Sequence, residues 1–226
     1  DTRVDAAIGL WETAVKNACA FAKVASDKVG INGHKQWVNR MIETYSFTKQ
    51  VITGTEWANF FWLRYHPDAQ PEFQELARCA KEAMELSKPN FLKAGEWHLP
   101  YITVDFDDTG IAYWLDKDTQ LDLETAKRIS ASCCAQVSYR KLDDSVEKAQ
   151  KIFGMLNIGS KDKPQHVSPV EHQATPMQDR GLVNIPKEPG SWEEGVTHLR
   201  KDLSLWSGNL KGWVQYRQLI PGEAKW

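Results

Sequence analysis

Between Thr55 and Pro67 the chain reads Glu56-Trp57-Ala58-Asn59-Phe60-Phe61-Trp62-Leu63-Arg64-Tyr65-His66. A stretch so rich in large rings has to lie against something, and this limits the folds open to the chain more than any other segment does. Read as a helix, Trp57, Phe60, Phe61 and Arg64 stand at i, i+3, i+4 and i+7, so the guanidinium shares a face with three rings. Burying it unpaired would cost several kcal/mol, on the order of ion-desolvation estimates, so it needs a carboxylate or an anionic ligand. Two ordinary answers exist: an ion pair with Asp68 one turn later, or a side chain that snorkels to water. The pattern alone favours these over a waiting ligand. Thr55 suits the N-cap of this helix, Pro67 interrupts it, and Pro71 suits the first turn of another helix expected over 71–87.

The flanking pattern is also helical. Val4, Ile8, Trp11, Val15, Ala18, Ala22 and Ala25 recur at three- and four-residue steps, which predicts an amphipathic helix over 2–29 ended by Gly30 and Gly33. A second helix is expected over 34–45, and further ones over 123–138 and 145–156. Residues 47–55 are β-branched and short, so they read as extended. The stretch 88–113, with Pro89 and Pro100, reads as an irregular connection. So does 159–190, with Pro164, Pro169, Pro176 and Pro186. A short helix over 192–203 and a strand at 213–217 complete an α+β expectation: a small central antiparallel sheet flanked by long helices, in a single domain over 1–226.

With 226 residues the chain can bury a sizeable core. A net charge of −2 offers no general polyanion field, so no nucleic acid polymer is expected as a partner, and phosphate recognition would need a local cluster. A mean hydropathy of −0.51 and the lack of a long apolar run argue against a membrane span and place the protein in the cytoplasm. Cys19, Cys79, Cys133 and Cys134 form no CxxC spacing and read as reduced core thiols. The chain enters a helical pattern at Asp1, so it reads as part of something longer.

Walker, GxGxxG, GxSxG and HExxH motifs are absent. His166 and His172 could ligate a metal only with a third side chain that the spacing does not supply, so no metal is expected; hydrogen bonds within a proline-rich turn account for them better. Arg40, Arg64 and Arg217 are each flanked by aromatic or apolar residues, a setting suited to bidentate capture of phosphate or a carbonyl edge. An ordinary ion pair is expected for at least one of them.

Six stretches carry a further signal: His34-Lys35-Gln36 through Asn39-Arg40, Thr53 to Gln70, Gly95-Glu96-Trp97-His98-Leu99-Pro100-Tyr101, Cys134-Ala135-Gln136-Val137-Ser138-Tyr139, His166-Val167-Ser168-Pro169-Val170-Glu171-His172-Gln173-Ala174-Thr175-Pro176, and Gly212-Trp213-Val214-Gln215-Tyr216-Arg217. In content and order they resemble the phage-type branch of the flavin-dependent thymidylate synthases. Relative to the bacterial branch the blocks are permuted.

The resemblance implies an enzyme, an FAD-dependent methyltransferase that converts dUMP to dTMP. Methylenetetrahydrofolate would be the carbon donor, reduced FAD the hydride source and NADPH the reductant of the flavin. No cysteine nucleophile is used in that family. By the same resemblance Arg64 contacts the uracil and favours ionisation at N3, and Arg40 binds the nucleotide, most simply its phosphate. Asn59, Ser168 and Thr53 fall at FAD-contacting positions. Gln70 lies in a matching Ala-Gln block without an assigned role.

The family also implies a homo-oligomer, a tetramer, with sites completed across subunits in a bacterial or phage-infected host cell. Two departures stand out: Gln136 replaces a common arginine, and Thr53 stands where the bacterial branch has asparagine. The family's Arg/Thr-His-Arg signature is missing, so the chain is expected to be the C-terminal part of a longer enzyme, or to meet the signature on a separate chain. A pyrimidine nucleotide hydroxymethylase, a dCMP-acting variant and a non-catalytic nucleotide-binding or assembly subunit are the alternatives.

Overall fold

The computed structural model describes residues 2–107, 110–138, 141–178 and 189–223. The packing falls into two compact units, Asp1–Lys49 and Gln50–Trp226.

In the first unit, helix α1 spans Thr2–Ser26 and α2 spans Lys35–Arg40. α1 stops short of residue 29 because Asp27 turns the chain: its carboxylate accepts from the Val29 N–H at 3.0 Å, and its carbonyl accepts from Asn32. Gly33 then donates to the Ala25 carbonyl at 2.7 Å. A Cβ at Gly33 would stand 2.9 Å from that same oxygen, so the return needs a glycine. His34 caps α2 through Nδ1. The single helix expected over 34–45 is instead α2 followed by a 3-10 turn at Glu43–Tyr45. The N–H groups of Met41 and Ile42 bond three residues back, which tightens and ends the α-helix. Ala22, Ala25 and Val38 are buried together with Ile42 packed on them, while Val4, Ile8 and Trp11 stay exposed.

The second unit opens with residues 50–55, which run without a ladder partner into α3, Trp57–Arg64. Thr55 does not cap this helix. Its hydroxyl accepts from the Lys211 N–H at 2.9 Å, a tertiary tie in place of a local one. α4 spans Pro71–Leu86 with proline in its first turn. Strands β1 Thr103–Asp107, β2 Gly110–Trp114 and β3 Gln120–Leu121 form an antiparallel sheet, with Val104 opposite Tyr113 and Tyr113 opposite Leu121. This hairpin falls where the sequence suggested an irregular connection. The prolines lie before it, and Val104, Phe106, Ile111 and Tyr113 carry a two-residue alternation.

α5 spans Leu123–Ala135 and is capped by Asp122, which accepts from the Thr125 N–H at 3.0 Å. α6 spans Val146–Leu156, with Ser145 as its cap and Asn157 in the left-handed region at its end. A 3-10 turn at Ser168–Glu171 leads into β4, Ala174–Pro176. β5 His198–Leu199, β6 Leu205–Ser207, β7 Leu210–Lys211 and β8 Trp213–Gln215 follow. β5, β6 and β7 make one antiparallel sheet, and β4 pairs with β8 so that Ala174 faces Gln215.

The helix expected over 192–203 is replaced by turns and β5. Gly195 sits at φ +87°, and a Cβ there would come within 2.6 Å of Val214 Cγ1, so that segment bends sharply where a helix would run on. The strand expected at 213–217 ends at Gln215 and becomes a 3-10 turn at Tyr216–Leu219. Within the loop expected over 159–190, residues 179–188 lie outside the described residues, as does Tyr139 of the Cys134 stretch.

α5 is the central element. Ala126, Ile129, Ala131 and Cys133 are buried with Trp97, Leu99, Tyr113, Phe153, Val170 and Tyr216. Burying a side chain the size of Ile129 contributes about 1.5–3 kcal/mol. The architecture is therefore α+β, with small antiparallel sheets around buried helix. Among the described residues no helix is long and apolar enough to cross a membrane.

Candidate functional site

A cavity of about 760 Å³ opens in the second unit. One wall is the extended strap Thr53-Gly54-Thr55-Glu56, held by side chains where a strand would use a ladder. Thr53 Oγ1 lies 3.1 Å from His172 Nδ1, Asn209 Nδ2 donates to the Thr53 carbonyl at 3.1 Å, and Thr55 takes the Lys211 N–H. The Trp57 indole donates to the Gly54 carbonyl at 2.8 Å. Gln215 Nε2 reaches both the Glu171 carbonyl and Asn209 Oδ1 at 2.9 Å, which ties β8 to the residues that grip the strap.

Trp97, His98 and Leu99 form a further part of the lining. The backbone there is fixed at four points. Gly95 donates to Thr175 Oγ1 at 2.9 Å, Trp97 donates to the Tyr113 hydroxyl at 2.8 Å, and His98 and Ala174 exchange hydrogen bonds at 2.8 and 3.2 Å. Ile102, Val104, Leu210 and Trp213 supply apolar surface, and Asn90, Glu56 and Lys211 polar edges. Two indoles on an aliphatic floor suit a flat ring, and the volume is of a ligand-pocket size.

Beside this part of the lining Lys127 is buried, with Nζ 4.5 Å from the centre of the Trp97 ring and 5.2 Å from that of Tyr216. Trp97 and Tyr216 meet edge to face at 5.8 Å. Glu124 pairs with the ammonium. The two rings and one carboxylate offset the desolvation of the lysine and hold the Trp97 ring from its rear.

His98 is open to the cavity yet crowded by protein atoms; that desolvation, with His172 nearby, holds its pKa below the ordinary imidazole value. His172 is also lowered by desolvation, partly offset by Glu171. Lys211 lies 3.4 Å from Asp202. The Asp202 carboxyl is lowered to about 2, first by the Ser204 hydroxyl and backbone N–H and less by Lys211. Burial pushes the Cys133 and Cys134 thiols up to about 12, so neither is poised as a thiolate. Cys19 and Cys79 are exposed, contrary to the expectation of four core thiols, because both lie on the outer faces of helices. Among the described residues no group of three or more His, Cys, Asp or Glu is placed to hold a metal ion.

Of the residues singled out from sequence, Thr53 lines the cavity. Arg64 is exposed at the end of α3 with its guanidinium 5.6 Å from the centre of the Phe73 ring, and the Asp68 backbone N–H donates to His66 Nδ1 at 3.2 Å. The snorkelling alternative thus describes Arg64, and the Asp68 pair does not form. Asn59 is exposed on α3, and Ser168 is exposed at the start of its 3-10 turn. Arg40 is exposed at the end of α2 in the first unit. Arg217 is an ion-pair partner, held by Glu171 and by Glu223 at 2.8 Å. His172 hydrogen-bonds across 119 residues to Thr53, and so is not confined to its own turn.

Trp97, His98, Lys211 and Trp213 received no role from sequence. Trp97 and Trp213 stand out in the sequence only as large rings beside glycine or proline turns, and His98 and Lys211 carry no local signal. No protein-family model matches the chain, and no curated protein or solved structure resembles it at a significant level.

Proposed function

We propose that this protein is a flavin-dependent thymidylate synthase of the phage type, forming dTMP from dUMP with methylenetetrahydrofolate, FAD and NADPH. One observation carries the reading. Four of the stretches that bear the resemblance, 53–70, 95–101, 166–176 and 212–217, are distant in sequence, and each contributes a residue to the same cavity. A likeness scattered by chance along a chain has no reason to converge in space.

The residues present fit the cofactor class. The cavity is large, mostly apolar and walled by Trp97 and Trp213, as a flat isoalloxazine or pyrimidine requires, with Thr53 at a flavin-contacting position of the family. Bound FAD would supply the hydride. The protein's part is to exclude water with the apolar floor and to orient a ring against the strap and the tryptophan wall. Arg64, Asn59 and Ser168 stand exposed outside this cavity, an arrangement that suits a site completed by a second copy in a homotetramer. Arg64 would then stabilise the negative uracil, and Arg40 the phosphate.

The test is direct. Protein incubated with FAD and then freed of unbound flavin by desalting should stay yellow, absorbing near 450 nm (roughly, for oxidised flavin), and with dUMP, methylenetetrahydrofolate and NADPH it should form dTMP. A colourless protein whose Tm does not rise with added FAD defeats the proposal.

A further inference from the structure

We propose that His98 reads the ligand of the cavity by accepting a hydrogen bond, through one ring nitrogen, from the lactam N–H of a flat heterocycle. This rests on the cavity being the ligand site, as argued above.

Three observations lead to it. His98 exposes its ring to the cavity from a rigid pedestal: its backbone is bonded to Ala174 in both directions, and its neighbour Trp97 is fixed by Tyr113 and Lys127. Neither nitrogen of the His98 ring has a hydrogen-bond partner among the described residues, whereas His172 beside it uses Nδ1 on Thr53. The rest of the wall near it, Trp97, Leu99, Ala174 and Trp213, is apolar or aromatic, so the imidazole is the polar group set among ring-stacking surface.

The charged groups on the cavity argue against an anion as the part that is read. Lys211 is engaged by Asp202, and Glu56 would repel an anion. A neutral imidazole, which crowding favours, takes a bond from a ring N–H or gives one to a carbonyl. A lactam N–H is common to flavins, pterins and pyrimidine nucleotides whose N3 has not yet ionised.

The experiment titrates the chain separately with dUMP, FAD and folinic acid, following tryptophan fluorescence, which Trp97 and Trp213 make sensitive to the cavity. Each ligand that binds is then compared with its counterpart methylated on the lactam nitrogen. For the ligand occupying the cavity, methylation should weaken binding to the native chain about tenfold, and His98→Phe should weaken the unmethylated ligand by a similar factor. His98→Phe should no longer distinguish the two forms, and His98→Asn, which keeps a hydrogen-bonding group, should restore the distinction. If a ligand binds but His98→Phe leaves its affinity and its sensitivity to methylation unchanged, the role of His98 falls while the cavity stands. If none of the three binds, both fall.

Discussion

The cavity wall and the outer face of α3 draw on the same residue types, tryptophan and a cation, and use them in opposite ways. Trp97 is 5 % exposed, its backbone N–H bonded to the Tyr113 hydroxyl and its ring set against the buried Lys127 ammonium. Trp62 is 75 % exposed, and the neighbouring Arg64 rests on the Phe73 ring. The first arrangement is finished within the chain. The second leaves apolar and cationic surface available for something outside it. Rings alone do not indicate a site; what separates the two regions is how many independent segments fix each ring.

The largest test falls on the unfinished face. Arg64→Ala should lower thymidylate formation by about 100-fold or more, the order seen when a group that stabilises developing charge is removed, while Tm and FAD binding hold. Turnover near the native rate would remove Arg64 from the site and leave α3 as ordinary surface. On the finished wall the effect should be structural: Trp97→Ala should destabilise the fold by about 3–5 kcal/mol in urea unfolding, because it empties a buried position shared with Tyr216 and Lys127. A loss under about 1 kcal/mol would mean that the wall is not rigid.

Smaller effects sharpen the contrast. Thr53→Val should cost about 1 kcal/mol by removing the bond to His172, with FAD affinity falling in parallel as the strap loosens. Lys127→Met should change stability by no more than about 1 kcal/mol, since it removes a desolvated charge whose partner Glu124 is largely exposed and can return to water. A large loss on Lys127→Met would show that the cation–π clamp dominates the energetics of the wall.

The smallest expected effect is a pH dependence. His98 and His172 titrate below the unfolded value, so the folded chain refuses protons that the unfolded chain accepts. Their effect on stability is absent above the unfolded pKa of about 6.5, and stability falls as pH drops below it toward the folded values. Tm should therefore decrease from pH 7.5 to 5.5, and the double variant His98→Asn, His172→Asn should flatten that slope. The low carboxyl of Asp202 acts only in more acidic solution and does not enter this window.

The local signals in the sequence were reliable where a single segment decides its own conformation. Pro71 opens α4, Ser145 caps α6, and both helices end within a residue of the expected position. They misled where a distant partner competes. Thr55 has the chemistry of an N-cap but spends its hydroxyl on Lys211, 156 residues away. The segment around Gly195 has the composition of a short helix, and close approach of Val214 turns it aside. The β1–β2 hairpin was hidden by reading Pro89 and Pro100 as if they broke the whole stretch, when they only precede it.

The sequence by itself determined most of the helical segments, the near-neutral charge and the aromatic helix ending in Arg64, because these depend on residue type and short spacing. Tertiary structure alone decided that Trp97, His98, Thr53 and Trp213 share one cavity, that Arg64 lies outside it against Phe73, and that a lysine sits buried behind an indole. Each of those facts is a contact between segments far apart in the chain, and such contacts are set by which apolar faces bury together, a choice that short spacing does not encode.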